Sequence, residues 1–318
     1  MMSRVLLTAL IAIAAVTSAA TRPSALSERQ RVEGRNKRIV IIAGRPSHPP
    51  GMHEFRAGSL LLQKALSGFK GVTVDVIPMG WPKKTVDGKE VDDHAALDGA
   101  DAIFIYADGG RGNPAIQGDH VQVLDALAKK GVGLGFGHYG VEVPAGEPGA
   151  AMQRWNGGYY ETNWSVNPMW APKFEKFPSH PVTRGVGPFS NNDEWYFNMR
   201  WTDDEKLKAK IKPLLVATPD EDVRDGPYVS PRGPYDHIIA AKGREETMMW
   251  VFERADGGRS FGFTGGHTHT NWGDANQRRI VLNALLWIAK VDVPSKGVVD
   301  TITPDDLIGN LDPKPPRK

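Results

Sequence analysis

The chain has no cysteine among its 318 residues. This excludes disulfide staples, a lipid-modified cysteine behind a leader, and any thiolate nucleophile. Net charge is nearly absent as well, since 39 basic residues against 37 acidic ones leave +2 at pH 7. So even a balance provides no general field for nucleic acid or an anionic membrane, and a neutral substrate fits better. No internal repeat is visible. No glycine pattern has the spacing of a dinucleotide fingerprint or a P-loop, so no nucleotide cofactor is expected. The loop DGGRGNP, Asp108 to Pro114, is glycine-rich without either spacing. It reads as a pocket wall from which Asp108 or Arg111 touches substrate.

What is present begins with MMSRVLLTALIAIAAVTSAA, a basic start at Arg4, an apolar run from Val5 to Val16 and small residues Ser18, Ala19 and Ala20. This has the form of a secretory signal peptide cut near Ala20, and the run is short for the ~20-residue span of a membrane anchor. The expected location is therefore the bacterial periplasm or the medium, with no stable membrane insertion after cleavage. Residues 21–37 are polar and patternless and read as a tether. Residues 38–293 carry the periodicity of one α/β domain, and 294–318 form a proline-rich tail expected to wrap over the surface.

Within 38–293 short β-branched runs alternate with amphipathic ones. RIVIIAG, VTVDVIP, DAIFIYADGG and GLGFG read as strands, with helices over HEFRAGSLLLQKALSGFKG and from about Ile116 to Lys130. A hairpin is expected at TMMWVFER, ADGG, RSFGFTGGH, and a last helix from about Ala275 to Lys290. LLVAT and YDHIIAAK also look strand-like. Alternation of this kind predicts right-handed βαβ units, a mainly parallel sheet and a site at the carboxyl ends of its strands. From Tyr139 to about Pro181 the periodicity disappears and aromatics accumulate, including Trp155, Tyr159, Tyr160, Trp164 and Trp170. Such rings suit the C–H faces of sugars, but they suit a satellite core equally well.

The candidate chemistry lies in histidines near strand ends. In GLGFGHYGVE, His138 occupies the sharp turn where related folds carry a nucleophile, and Glu142 follows four residues on. A histidine exposed there can be a general base or a metal ligand. In TGGHTHTNW, His267 and His269 point the same way if the strand continues and could share one metal; if the chain turns after Gly266, only one of them faces the site. In DEWY, strand alternation lets only one carboxylate enter a pocket, and Glu194 is preferred to Asp193. His53, in GRPSHPPGMHEF, could begin the following helix, with His48 the weaker candidate.

Together RIVIIAG, DAIFIYADGG, GLGFGHYGVE, HPVTRGVGPF, DEWYFNM and GRSFGFTGGHTHTNWGDANQRRIVLNALLWIAK resemble the ThuA-like (trehalose utilisation) domain of the class I glutamine amidotransferase-like superfamily, over roughly Lys37 to Val293. The resemblance implies a flavodoxin-like, doubly wound α/β fold with helices on both faces, here carrying a long aromatic-rich insertion. It also implies a role in disaccharide or glycoside catabolism, linked to sugar oxidoreductases that make 3-keto sugars. A metal in the pocket fits the family, while trehalose itself does not follow for a chain with a leader.

The expected function is an exported protein acting on a glycoside or 3-keto sugar by general-base, metal-assisted elimination and hydrolysis. Expected catalytic residues are His138, Glu194 and His267, with His138, Glu194, His267 and His269 as ligands of zinc or a similar divalent ion. Expected substrate contacts are His53, Asp108, Glu142, Trp164 and Trp272. The alternative is a non-catalytic carbohydrate-binding or accessory protein in which Trp155 and Trp164 matter more than the histidines. Either is compatible with a homo-oligomer.

Overall fold

The fold rests on a computed structural model that describes residues 35–315. The expected leader, 1–20, and nearly all of the expected tether lie outside the described residues. Strand β1 (Lys37–Ala43) leads to helix α1 (Phe55–Leu66) and strand β2 (Val72–Ile77), followed by β3 (Ala102–Tyr106), α2 (His120–Lys129) and β4 (Gly133–Gly137). After α3 (Glu147–Asn156) come β5 (Ile211–Ala217), β6 (Glu246–Glu253), β7 (Arg259–Phe263) and α4 (Ala275–Ile288).

These strands form one seven-stranded sheet in the order β5-β6-β7-β4-β3-β1-β2. The pairs β1–β2, β1–β3, β3–β4 and β4–β7 are parallel, whereas β6 runs antiparallel to both β5 and β7. β3 and β4 are buried along their whole length, which is why their sequences read as unbroken apolar runs rather than alternating ones. β5 lies at an edge, where Pro213 is tolerated because one side of the strand needs no ladder donor.

Alternate residues of β1 feed two cores. Ile39 and Ile41 pack with Leu61, Leu62, Phe104, Phe261 and Leu285, beneath α1 and α4. Val40 and Ile42 pack with Ile103, Ile105, Leu124, Met152 and Trp155, beneath α2 and α3. Helices cover both faces, so the sheet is doubly wound in the flavodoxin-like manner. Each fully buried aliphatic or aromatic side chain contributes about 1.5–3 kcal/mol. Among the described residues no helix is long and apolar enough to cross a membrane.

Three local expectations are corrected. The aperiodic stretch after Tyr139 contains α3, whose Pro148 sits in the first turn and whose Ala151, Met152 and Trp155 form a short buried face. YDHIIAAK forms a short helix, Asp236–Ile239, not a strand. Only Ile238 of the β-branched pair is buried, and the N–H groups of Ile238 and Ile239 both bond to the Tyr235 carbonyl. The second helix begins at His120 rather than Ile116, because Pro114–Ile116 forms a separate 3-10 turn capped by Asn113.

Candidate metal centre and its pocket

The carboxyl ends of β1, β3, β4 and β7 meet at one place, and the loops leaving them carry histidines and acids. His138 follows β4 directly and begins a 3-10 turn with φ at 49°. His53 reaches in from the loop before α1 with φ at 47°. A non-glycine residue in this left-handed region costs about 1–3 kcal/mol and persists where surrounding contacts over-determine it. His267 follows β7 across the turn at Gly265 and Gly266, and Glu194 comes from the two-residue strand Asp193–Glu194, beyond the aromatic insertion.

These four buried side chains converge, each placing one ligand atom within 4.8 Å of the others. His53 Nε2 lies 2.9 Å from His267 Nδ1 and 3.0 Å from His138 Nε2. Glu194 Oε2 lies 2.9 Å from His267 Nδ1 and 3.5 Å from His138 Nε2.

The outer nitrogens fix the tautomers. His138 Nδ1 donates to the Thr264 carbonyl at 2.9 Å, and His53 Nδ1 donates to Asp108 Oδ1 at 2.8 Å. With those protons outside, the two Nε2 atoms point unprotonated lone pairs at each other. Such an arrangement is repulsive until a cation or a proton enters it. Three imidazole nitrogens and a carboxylate, with outer N–H groups anchored on a carbonyl and a carboxylate, are a donor set that suits a first-row divalent metal.

The charges agree with the geometry. Burial drives His53 well below the ordinary histidine range, with the neighbouring histidines adding to the effect. Burial alone would raise Glu194, but its contacts with His138 and His267 outweigh it and bring the carboxyl to about 2. His53 and Glu194 are thus held in their deprotonated, ligating forms.

His53 and Glu194 of the cluster line a cavity of about 370 Å³, together with His48, Tyr139, Glu142, Thr162, Asn167 and Tyr196. Glu142 Oε1 accepts from Thr162 Oγ1 at 2.9 Å, and Glu194 Oε1 from Asn167 Nδ2 at 2.9 Å. Burial raises Glu142 to about 7 and Tyr139 to about 12. Tyr196, whose hydroxyl is 3.2 Å from His138 Nε2, is likewise raised by burial. Val229, Ser230 and Pro231 complete the rim.

His138, Glu194 and His267 are therefore brought together, and His53 joins them as a donor in place of His269. The chain turns after β7 into a 3-10 segment, His269–Gly273, so the two histidines of H-x-H separate. His269 Nε2 donates to the Leu307 carbonyl at 3.0 Å instead. Trp272 is fully buried away from the cavity, with Nε1 on the Tyr106 hydroxyl, and Tyr106 in turn bonds the Gly266 carbonyl. Trp164 lies beneath the Arg200 guanidinium and beside His237, while Trp155 is core with its indole N–H on Asp125. Trp155 and Trp170 are thus buried, and Trp164 is engaged by Arg200 and His237, so packing accounts for the insertion's tryptophans. Asp108 acts through His53 and also borders a neighbouring cavity of about 320 Å³.

Asp193, the carboxylate that strand alternation turns away from the pocket, is buried and structural. Its carboxylate accepts from the amides of Gly266 and Thr268, on either side of His267. Tyr196 was missed, although its position two residues beyond Glu194 on an extended segment places it on the same side.

The sequence profile described as trehalose utilisation (ThuA) matches residues 75–288. The chain belongs to the ThuA family. His138, Glu194 and His267 lie within the matched span, and His53 precedes it. A ThuA-like protein from Bacteroides uniformis superposes with a TM-score of 0.54 at 15% identity, over 88% of this chain and 97% of that one. Weaker likenesses are to PurLQS from Thermotoga maritima (TM-score 0.41, 13% identity, 79% of this chain and 99% of that one) and a β-galactosidase from Bacillus circulans (0.43, 12%, 80% and 31%). No curated protein matches the chain significantly in sequence. Family membership implies a carbohydrate-related role, and the structural likeness shows the fold.

Proposed function

We propose that this ThuA-family protein is a metal-assisted enzyme that cleaves a glycoside carrying a 3-keto sugar, by elimination followed by addition of water. The supporting observation is the convergence of His53 Nε2, His138 Nε2, His267 Nδ1 and Glu194 Oε2, two of whose residues, His53 and Glu194, line a cavity large enough for a sugar ring. These four residues would hold the divalent ion. Bound there, it supplies a Lewis acid that stabilises negative charge developing on the keto oxygen.

The other steps fall to the chain itself. A 3-keto group acidifies the C2–H bond, and Glu142, poised near pH 7, takes that proton. The electron pair left at C2 forms the C1–C2 double bond as the C1–O bond breaks. The departing oxygen collects a proton from protonated Glu142 or from solvent. Water then adds at C1 and a proton returns to C2, which balances the hydrolysis. Tyr139 and Tyr196, both held protonated by burial, offer O–H donors to substrate oxygens. Action outside the cytoplasm, suggested by the leader-like residues 1–20, belongs to the same proposal.

The test is a nitrophenyl 3-keto-glucoside given to protein loaded in turn with zinc, manganese, cobalt and nickel in deuterated water. Release of nitrophenol with deuterium at C2 of the sugar is the expected result. Failure of every loaded form to release nitrophenol overturns the proposal.

A further inference from the structure

His138 and His267 stand at strand ends, but His53 depends on a loop well past the end of β1. That loop holds three residues in the left-handed region, His48 at φ 62°, Gly51 at φ 83° and His53 at φ 47°. A non-glycine residue stays there only where its surroundings fix it. Some of the fixing comes from the β7 side, because the His53 amide donates to the His267 carbonyl and the His269 amide to the Gly51 carbonyl.

The rest comes from a distant stretch of the chain, residues 303–315. Its short helix, Pro304–Ile308, sets Asp306 against Lys64 of α1 and the Leu307 carbonyl against His269. The Asn310 carbonyl then accepts from Arg56, and the Asp312 amide donates to Glu54 Oε2. Finally the Lys314 ammonium enters the interior. It donates to the carbonyls of Met52 and His53 and pairs with Glu54 Oε1 at 3.1 Å, with the Lys314 side chain only 3% exposed. Its three protons have three acceptors, two of them on the backbone of the His53 loop. Glu54 closes the arrangement by accepting from the Gly51 amide at 2.9 Å.

We propose that residues 303–315 clamp the metal centre and that Lys314 is a positioning residue for His53, setting how tightly the ion is held. This rests on the metal reading of the site. Removal of the Lys314–Glu54 pair frees the His53 backbone to leave its left-handed conformation, and one of the four donors is withdrawn while the other three stay in place.

The experiment uses the full chain, stripped of metal and titrated with Co²⁺ alone. It follows the visible d–d absorption and the rate of Co²⁺ transfer to a chelator. Lys314→Met with Glu54→Gln removes both buried charges together, so neither is left uncompensated. Arg56→Ala with Lys64→Ala loosens the same segment from partly exposed anchors and keeps the interior intact. The clamp predicts at least tenfold faster Co²⁺ loss in the first variant, about threefold in the second, and recovery in Lys314→Arg. If the first pair does not fold, the second pair decides. Co²⁺ loss at the wild-type rate in folded variants overturns the clamp and leaves the metal site standing. Absence of any Co²⁺ band in wild type overturns the metal reading itself, and the clamp with it.

Discussion

Among the described residues three groups bring histidine and acid ligand atoms within 4.8 Å of one another; one of them, His48, His53 and Asp108, shares His53 with the metal centre, and of the two separate clusters only one has free lone pairs to offer. His53, His138, Glu194 and His267 form the first, and His94, Asp119 and His120 the second. In the first, each fixed outer N–H is spent on an acceptor outside the cluster, so that nitrogen lone pairs face inward. In the second, His94 Nδ1 accepts from the Trp81 indole at 3.1 Å, which leaves the proton on Nε2, where it meets Asp119 at 3.1 Å. His120 stacks on Trp81 with centroids 3.8 Å apart and has both nitrogens engaged, by the Pro114 carbonyl and by Asp92. Proximity alone does not make a ligand set. The place of each proton decides it.

The comparison is broken most severely at His138. His138→Ala removes an inward donor and should abolish both stoichiometric metal and turnover, a larger loss than the roughly 10–100-fold that removal of an outer hydrogen-bond partner costs. Elemental analysis of wild type beside the variant reads this directly, and retention of full metal by His138→Ala would refute the assignment.

Much of the first cluster could be read in the sequence because its signals are local. A histidine after an apolar strand, an H-x-H behind a glycine turn and a carboxylate chosen by strand alternation point to His138, His267 and Glu194, whose ligand atoms the fold brings within 4.8 Å of one another. His53 could be named but not given its role, because only the tertiary return of the loop against β7 and residues 303–315 turns its Nε2 inward. His269 misled for the opposite reason. Periodicity of two holds only while the strand lasts, and β7 ends at Phe263. The aromatic insertion was ambiguous in principle, since the same rings serve a core or a sugar platform, and burial alone separates the two.

Glu142 gives the next largest effect and sharpens the contrast between binding and chemistry within the first cluster. Glu142→Gln should retain the metal yet lower turnover by about 10²–10⁴, the range for loss of a general base. Wild-type kcat/KM should rise as pH passes through about 7, because the carboxylate is the active form. Stability runs the other way. The folded pKa lies above the ordinary 4.5, so the contribution is fully present below pH 4.5 and is lost as pH rises through about 7. At pH 8 the buried charge costs up to about 3 kcal/mol, which Gln avoids. Urea unfolding of metal-stripped protein should therefore show the variant gaining on wild type between pH 4 and pH 8, and a constant difference would contradict the raised pKa.

The smallest effect tests the second cluster. His94→Ala removes the acceptor of the Trp81 indole N–H, which belongs to a side chain only 5% exposed. A buried donor without a partner costs about 1–3 kcal/mol, and thermal or urea unfolding should show a loss of that order. Metal content and turnover should stay at wild-type values, because the proton on His94 Nε2 already commits that nitrogen to Asp119. Loss of a bound ion in His94→Ala would mean that the tautomer argument fails where it is most explicit, and the same accounting at His53 and His138 would fall with it.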